Sequence, residues 1–196
     1  MLASNNLSPA IFIDRDGTIN EDIGYVSSPG ELIIYPFAAV AVRLINDSGM
    51  KAIIITNQSG VARSLYTEQT LTAIHDRLTG ELSLAGARLD AIYYCPHHPD
   101  IGDETYRKRC ECRKPRPGLL HQAARDHEID LAASYVIGDK ASDINLAAEV
   151  GAAGVLVLTG YGRETLRRID SRPCSPAIVA DDLLEAVRLI LDRERR

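Results

Sequence analysis

A parallel sheet flanked by helices, the α/β class, is what this 196-residue chain predicts, and two observations carry the prediction. Short runs rich in Ile, Val and Ala recur along it, and helix-length segments with apolar residues at helical spacing lie between them. Strand, helix, strand repetition with no internal repeat, low-complexity block or Pro/Gly/Ser linker implies one domain over residues 1–196. At 45% hydrophobic the chain can bury a core of its own.

Taken in order, strands are expected at AIFID (10–14), AIIIT (52–56), AIYYC (91–95), YVIG (135–138), GVLVL (154–158) and AIVA (177–180). Each is a continuous apolar run, as buried parallel strands require. Helices are expected over roughly 37–48, 67–85, 117–127, 141–150 and 182–194. In the last of these Leu183, Leu184, Val187, Ile190 and Leu191 share one side, with acids at the start and arginines at the end, so the helix docks and its dipole is compensated.

Composition narrows the function. A net charge of -5 argues against a general nucleic-acid binder, because phosphate backbones demand a basic face. The opening MLASNNLSP lacks a basic segment followed by a long apolar stretch, and apolar runs such as AAGVLVL (152–158) are strand-sized, so neither export nor membrane insertion is expected. The expectation is a cytoplasmic protein. In that reducing compartment clustered cysteines more often bind metal or do chemistry than form disulfides. With no obvious oligomerisation stripe, a monomer is expected.

Ligands of open parallel sheets bind beyond the carboxyl ends of the strands, and the polar residues there form a coherent set. After the first strand comes DRDGTIN, with Asp14 and Asp16 two apart and Gly17 free to turn. After the second comes TNQSG, with Thr56, Asn57, Gln58 and Ser59. The 135–138 strand runs into GDKASDI, which places Asp139, Lys140 and Asp143 at a helix start, where Asp139 or Ser142 could serve as N-cap. CRKPRPG supplies Arg113 and Lys114 before a helix started by proline.

Each piece alone is an ordinary turn or cap. Together they suit phosphoryl transfer. A phosphate ester resists attack by another anion, so a carboxylate nucleophile needs a divalent cation, and Asp14 and Asp139 offer the hard oxygens that magnesium takes. Attack by Asp14 on phosphorus would give an aspartyl phosphate and an alkoxide that needs a proton, with Asp16 the natural donor. The same carboxylate could then deprotonate the water that cleaves the acyl phosphate, while Thr56 and Lys114 hold the phosphoryl oxygens.

DRDGT, the Thr of TNQSG, a downstream Lys and GDxxxD together resemble the haloacid dehalogenase superfamily of phosphatases over nearly the whole chain. The resemblance implies a Rossmann-like fold with Asp14 as nucleophile, Asp16 as acid/base, Thr56 and Lys114 as phosphate stabilisers, and magnesium held by Asp14, Asp139 and the backbone carbonyl of Asp16.

The segment CPHHPDIGDETYRKRCEC (95–112) holds two close ligand pairs, Cys95 with His97 and Cys110 with Cys112, separated by twelve residues. Three cysteines and one histidine make a standard closed set for tetrahedral zinc, and with all four places filled by protein the ion would be structural, pinning a long loop. The one-residue spacing inside each pair is tighter than in zinc fingers, so a disulfide or incidental thiols stay open as readings. His98 is expected to face solvent or cap the loop, and Cys174 has no assigned role.

The ordered set DRDGTIN, GYV, TNQSG, YYCPHHP, CxCRKPxPG and GDKxxD is similar to the D-glycero-D-manno-heptose 1,7-bisphosphate 7-phosphatase family. In that family a zinc loop replaces a large cap domain, and only about forty residues separate Asp14 from Thr56 here. Phe37 and Ser64 stand where the resemblance implies glycine.

YRKRCECRKPRP carries six basic residues in twelve, Arg107, Lys108, Arg109, Arg113, Lys114 and Arg116. Apart from a solvated basic surface, this fits a sugar bisphosphate whose second phosphate is held by Arg113, whose guanidinium suits the group. Asp22 and Tyr25, and further Asn57, Gln58, Ser59 and Lys140, are candidate substrate contacts. Histidinol-phosphate phosphatases share the motifs, but the amine of that substrate would be disfavoured at the basic loop by about a kcal/mol or more. A reading of another class, an inactive fold that docks a partner through its metal loop, is opposed by retention of Asp14, Asp16, Lys114 and Asp139.

Overall fold

The computed structural model describes residues 7–169 and 175–195. Along the chain the elements are β1 (Ala10–Ile13), α1 (Ala38–Asp47), β2 (Lys51–Asn57), α2 (Glu68–Leu84), β3 (Ala91–Cys95), α3 (Gly118–His127), β4 (Tyr135–Gly138), α4 (Ala141–Glu149), β5 (Ala153–Val157), α5 (Gly162–Ile169), β6 (Ile178–Ala180) and α6 (Leu183–Glu194), with a short 3-10 turn at Pro29–Glu31. The strands pair in parallel in the order β3-β2-β1-β4-β5-β6.

Alternation along each strand builds two cores from one apolar run. Ile11, Ile13 and Ile54 turn to the face covered by α1, α2 and α6, where they meet Val42, Ile45, Ile74, Leu78, Val187 and Ile190. Phe12, Ile53, Ile55 and Val136 turn to the other face and meet Leu119 and Leu120 of α3 and Leu146 of α4. All of these side chains are buried, and burial of each stabilises the fold by about 1.5–3 kcal/mol relative to leaving it exposed.

Helix starts follow local chemistry. Thr67 caps α2 by accepting from the Thr70 N–H at 3.1 Å, and Asp182 caps α6 by accepting from the Glu185 N–H at 2.9 Å. At α4 the expectation of Asp139 or Ser142 as cap is corrected. Lys140 is the N-cap residue, and the Asp143 carboxylate accepts its N–H at 3.1 Å. The helix α5 was not expected. Half of GRETLRRI is charged, and only Leu166 and Ile169 join Ile144 and Leu156 in a small side cluster, too few apolar positions in so short a segment to read from sequence.

Two features of the architecture position the site. Strand order reverses between β1 and β4, so the chain leaves their carboxyl ends in opposite directions and opens a crevice there. Between Asp14 and Thr56 the regular elements are the 3-10 turn, α1 and β2, which leaves that crevice without a large cap from this segment. Among the described residues no helix is long and apolar enough to cross a membrane.

Candidate active site

Three carboxylates meet at the switch point. Asp14 directly follows β1, Asp139 directly follows β4, and Asp143 reaches back from the first turn of α4. All are buried, and one oxygen of each lies within 4.8 Å of the others. The backbone brings them together: the Asp14 N–H donates to Ile137 O at 2.9 Å, which locks the end of β1 to β4. Gly17 sits at φ 87° against Asp139, and Gly138 against Asp143, where a Cβ on either would collide with the carboxylate.

Lys114 supplies the charge between them. Its Nζ lies 2.7 Å from Asp14 Oδ1 and 2.6 Å from Asp143 Oδ1 and donates to Ile55 O at 3.0 Å. Burial by itself would lower its pKa, but the two carboxylates outweigh it and hold the ammonium charged. Asn57 fixes the backbone at this point, accepting from Lys114 N at 3.0 Å and donating to Lys114 O at 3.3 Å. Lys140 Nζ pairs with Asp22 at 2.8 Å and lies 3.8 Å from Asp139 Oδ1.

One oxygen is left over. Asp139 Oδ2 accepts from the Tyr161 N–H at 2.8 Å, whereas Oδ1 is buried and has no hydrogen-bond partner among the described residues. Burial, followed by the charge of Asp14, pushes the Asp139 pKa up to about 7 despite the opposing Lys140. A buried carboxylate oxygen without a donor, in a nest of carboxylates, fits a hard divalent cation such as magnesium.

Asp16 is held apart from this cluster. Its carboxylate accepts from Arg15 Nη2 and Nε at 2.8 and 3.0 Å, from Asn20 at 3.0 Å and from Gln58 at 2.9 Å. Burial would raise its pKa, but the Arg15 guanidinium and these donors keep it below the usual carboxylate range, so it stands ionised. Arg15 is fully buried and leans its Nη1 on His75 Nε2 at 3.3 Å. Gln58 also donates to Thr56 Oγ1 at 2.9 Å and accepts from Tyr66 at 2.7 Å.

A second cluster lies at the end of β3. Cys95, His97, Cys110 and Cys112 converge, with Sγ–Sγ separations of 3.2, 3.3 and 3.6 Å, and His97 Nδ1 at 3.2 Å from Cys112 and 3.7 Å from Cys95. A disulfide needs about 2.05 Å, and the three thiols are free. Tetrahedral zinc with bonds of about 2.3 Å has ligand edges of roughly 3.7 Å, so the set fits that ion with small adjustments. His98 caps the loop, its Nδ1 accepting from the N–H groups of Asp100 and Ile101, each at 3.1 Å.

Comparison with known proteins agrees with this geometry. The family model described as HAD-hyrolase-like matches residues 111–186. A D-glycero-D-manno-heptose-1,7-bisphosphate 7-phosphatase of Thermosynechococcus vestitus is 42% identical over 186 residues, covering 93% of this chain and 95% of the relative. The D-glycero-beta-D-manno-heptose-1,7-bisphosphate 7-phosphatase of Escherichia coli K12 is 45% identical over 155 residues, 78% of this chain and 80% of the relative. The chain belongs to the heptose-1,7-bisphosphate 7-phosphatase family. Its fold superposes with a TM-score of 0.84 on the crystal structure of D,D-heptose 1,7-bisphosphate phosphatase from B. bronchiseptica complexed with magnesium and phosphate, at 37% identity over 94% of this chain and 99% of that one.

Within this heptose bisphosphate phosphatase chain, the crevice unites Asp14, Asp139 and Lys114, and the thiol loop unites its four expected ligands. Two of the expected substrate contacts, Asn57 and Gln58, have hydrogen-bond partners within the site. The Asn57 amide is engaged by the Lys114 backbone, and that of Gln58 by Asp16, Thr56 and Tyr66, so both side chains position neighbouring residues of the site. Asp22 faces Lys140 and the Gly24 N–H, Arg113 donates to His97 O at 3.2 Å, Ser59 is half-buried and Tyr25 is exposed.

Sequence reasoning left Asp143 and Arg15 without roles in the site, although the second acid of GDxxxD and the residue inside DRD were both in view. Of the two departures, Phe37 sits in ordinary right-handed backbone at φ -84°, while Ser64 stands at φ 57°, the left-handed region that favours glycine. Cys174 lies outside the described residues.

Proposed function

We propose that this protein is a magnesium-dependent phosphatase that removes the 7-phosphate of D-glycero-D-manno-heptose 1,7-bisphosphate through an aspartyl phosphate on Asp14. The observation that carries the reading is the trio Asp14, Asp139 and Lys114: a carboxylate beside a charged ammonium and beside a second carboxylate with an oxygen left for a cation. Asp14, Asp139 and the Asp16 carbonyl would hold the magnesium, which when bound screens the phosphoryl charge.

Asp14 attacks phosphorus with one oxygen while Lys114, anchored by Asp143 and Ile55 O, neutralises the charge that builds on the phosphoryl oxygens. Thr56, beside Gln58, offers its hydroxyl to the same oxygens. Asp16 enters as an ion-paired carboxylate, so protonating the leaving sugar oxygen requires it to leave Arg15 and take up a proton. In the second half of the cycle it serves as base toward water, the role its ionised state favours.

The cysteine loop delivers Lys114, because Cys112 is two residues ahead of it and Arg113 is tied to His97 O. We assign the Cys95, His97, Cys110 and Cys112 set to structural zinc, for which metal analysis of the purified protein should give about one zinc per chain. Lys108, Arg109, Arg113 and Arg116 line a basic cavity of about 320 Å³ on this loop, an environment that disfavours the amine of histidinol phosphate. The reading extends to a cytoplasmic monomer, checked by sedimentation.

The test is phosphate release with magnesium from both anomers of the heptose bisphosphate and from histidinol phosphate, with Asp14→Asn as the blank. Preference for a bisphosphate anomer supports the reading. Preference for histidinol phosphate overturns the substrate and keeps the mechanism.

A further inference from the structure

Arg63, in the loop after β2, is a cation without an anion. It makes no ion pair among the described residues, and its Nε is buried with no acceptor among them. A half-buried guanidinium in that state is unfavourable unless something negative arrives.

Its nearest polar neighbour makes the deficit sharper. Arg63 Nη2 lies 3.1 Å from His98 Nε2. His98 Nδ1 already accepts from two backbone N–H groups, so it carries no proton and the ring hydrogen sits on Nε2. Two donors therefore point at each other, and an acceptor placed between them would satisfy both.

The pair is held on rigid backbone. The Arg63 N–H donates to Ser59 O at 3.1 Å, the His98 N–H donates to Tyr106 O at 3.0 Å, and His98 O accepts from Lys108 N at 3.0 Å. Arg113 Nη1 donates to His97 O, the carbonyl just before His98, which brings a second guanidinium to the same turn. On the other side the Arg63 guanidinium lies 5.9 Å from the centre of the exposed Tyr25 ring, so it spans the gap between the loop after β1 and the cysteine loop.

We infer that Arg63 and His98 together form, beside Arg113, the clamp that holds the phosphate not being hydrolysed, and so set the preference for a bisphosphate over a monophosphate. This rests on the sugar bisphosphate reading above. A phosphate oxygen between Arg63 Nη2 and His98 Nε2 would convert a donor–donor contact into two charge-assisted bonds, and another of its oxygens could take the Nε hydrogen.

The experiment compares KM for heptose 1,7-bisphosphate with KM for heptose 7-phosphate in wild type, Arg63→Gln, Arg63→Lys, His98→Gln and the double variant Lys108→Ala/Arg109→Ala, each first checked for an unchanged melting temperature. Arg63→Gln is expected to shift the KM ratio at least tenfold toward the monophosphate, His98→Gln less, and Arg63→Lys to restore part of the preference through its charge. The double variant on the flanking cavity is expected to shift the ratio less than Arg63→Gln does. A wild-type preference that Arg63→Gln keeps, or that only the double variant removes, overturns the clamp alone. A wild-type ratio near one overturns the substrate reading and the clamp with it.

Discussion

The acid cluster after β1 and β4 and the thiol cluster after β3 stand at carboxyl ends of the same sheet, one built to do chemistry and the other to stay closed. Asp14, from one end of the chain, and Asp139 and Asp143, from a single segment far along it, are hard, like-charged groups, with Lys114 paired to Asp14 and Asp143 and the Asp139 Oδ1 left over. Cys95 at the end of β3 and His97, Cys110 and Cys112 in the loop after it are groups whose sulfur and ring nitrogen atoms converge on one another. Excess charge and an unmet oxygen make the first receptive to a cation and a phosphate. A complete ligand set makes the second a staple.

The two are joined through Arg113 and Lys114, and breaking either cluster tests the difference. The largest effect is expected from Asp14→Asn, which removes the nucleophile and should reduce phosphate release by at least ~10³-fold. Because it also removes one of three crowded carboxylates, the melting temperature should hold or rise. A large drop in Tm would mean the cluster is structural after all.

Removing the second cluster should do the reverse. Cys112→Ser, or stripping metal with a chelator, is expected to lower stability by about 4 kcal/mol or more, on the order of 10 °C in Tm for a chain of this size. Activity should fall with it as Lys114 loses its anchor. Unchanged melting on chelation, followed by differential scanning calorimetry, would remove the metal from the loop.

Acid separates the clusters further. His75 is buried against Arg15 beneath Asp16, and burial first, then the Arg15 charge, lowers its pKa to about 3 from 6.5. The native state therefore keeps His75 neutral where the unfolded chain would protonate it. This contribution is complete above about pH 6.5 and is lost at about 1.4 kcal/mol per pH unit as the pH falls toward about 3. In urea titrations across that window His75→Gln should show a shallower loss than the wild type, and an unaltered slope would show that His75 protonates freely.

The smallest effect concerns the loop that carries Arg63. Ser64 at φ 57° is expected to become more stable by about 1 kcal/mol on substitution by glycine, seen as a rise of a few degrees in Tm with the KM ratio unmoved. No gain would mean that Ser64 occupies this conformation without strain.

Much of this was legible beforehand because it is local. The strand runs Ala10–Ile13, Ala91–Cys95 and Tyr135–Gly138 announce themselves by continuous apolar residues, and the thiol ligands by their spacing within one loop. The bounds of the expected elements differ from the observed ones by at most one residue at either end. The arginine-rich α5 was missed because its two apolar contacts, Leu166 and Ile169, acquire meaning only against Ile144 and Leu156.

By itself the sequence determined the layer order of the fold, the acids at the strand ends and the cysteine loop, since apolar period, turn residues and ligand spacing are properties of neighbouring positions. Only the tertiary structure decided that Asp143 grips Lys114, that Asn57 braces the Lys114 backbone and Gln58 the Asp16 carboxylate, that Arg15 keeps Asp16 ionised, and that Arg63 meets His98. Hydrogen-bond partners and desolvation depend on which chain segments converge in space, and for these residues the partners lie as far as 100 positions away, as Asp14 does from Lys114.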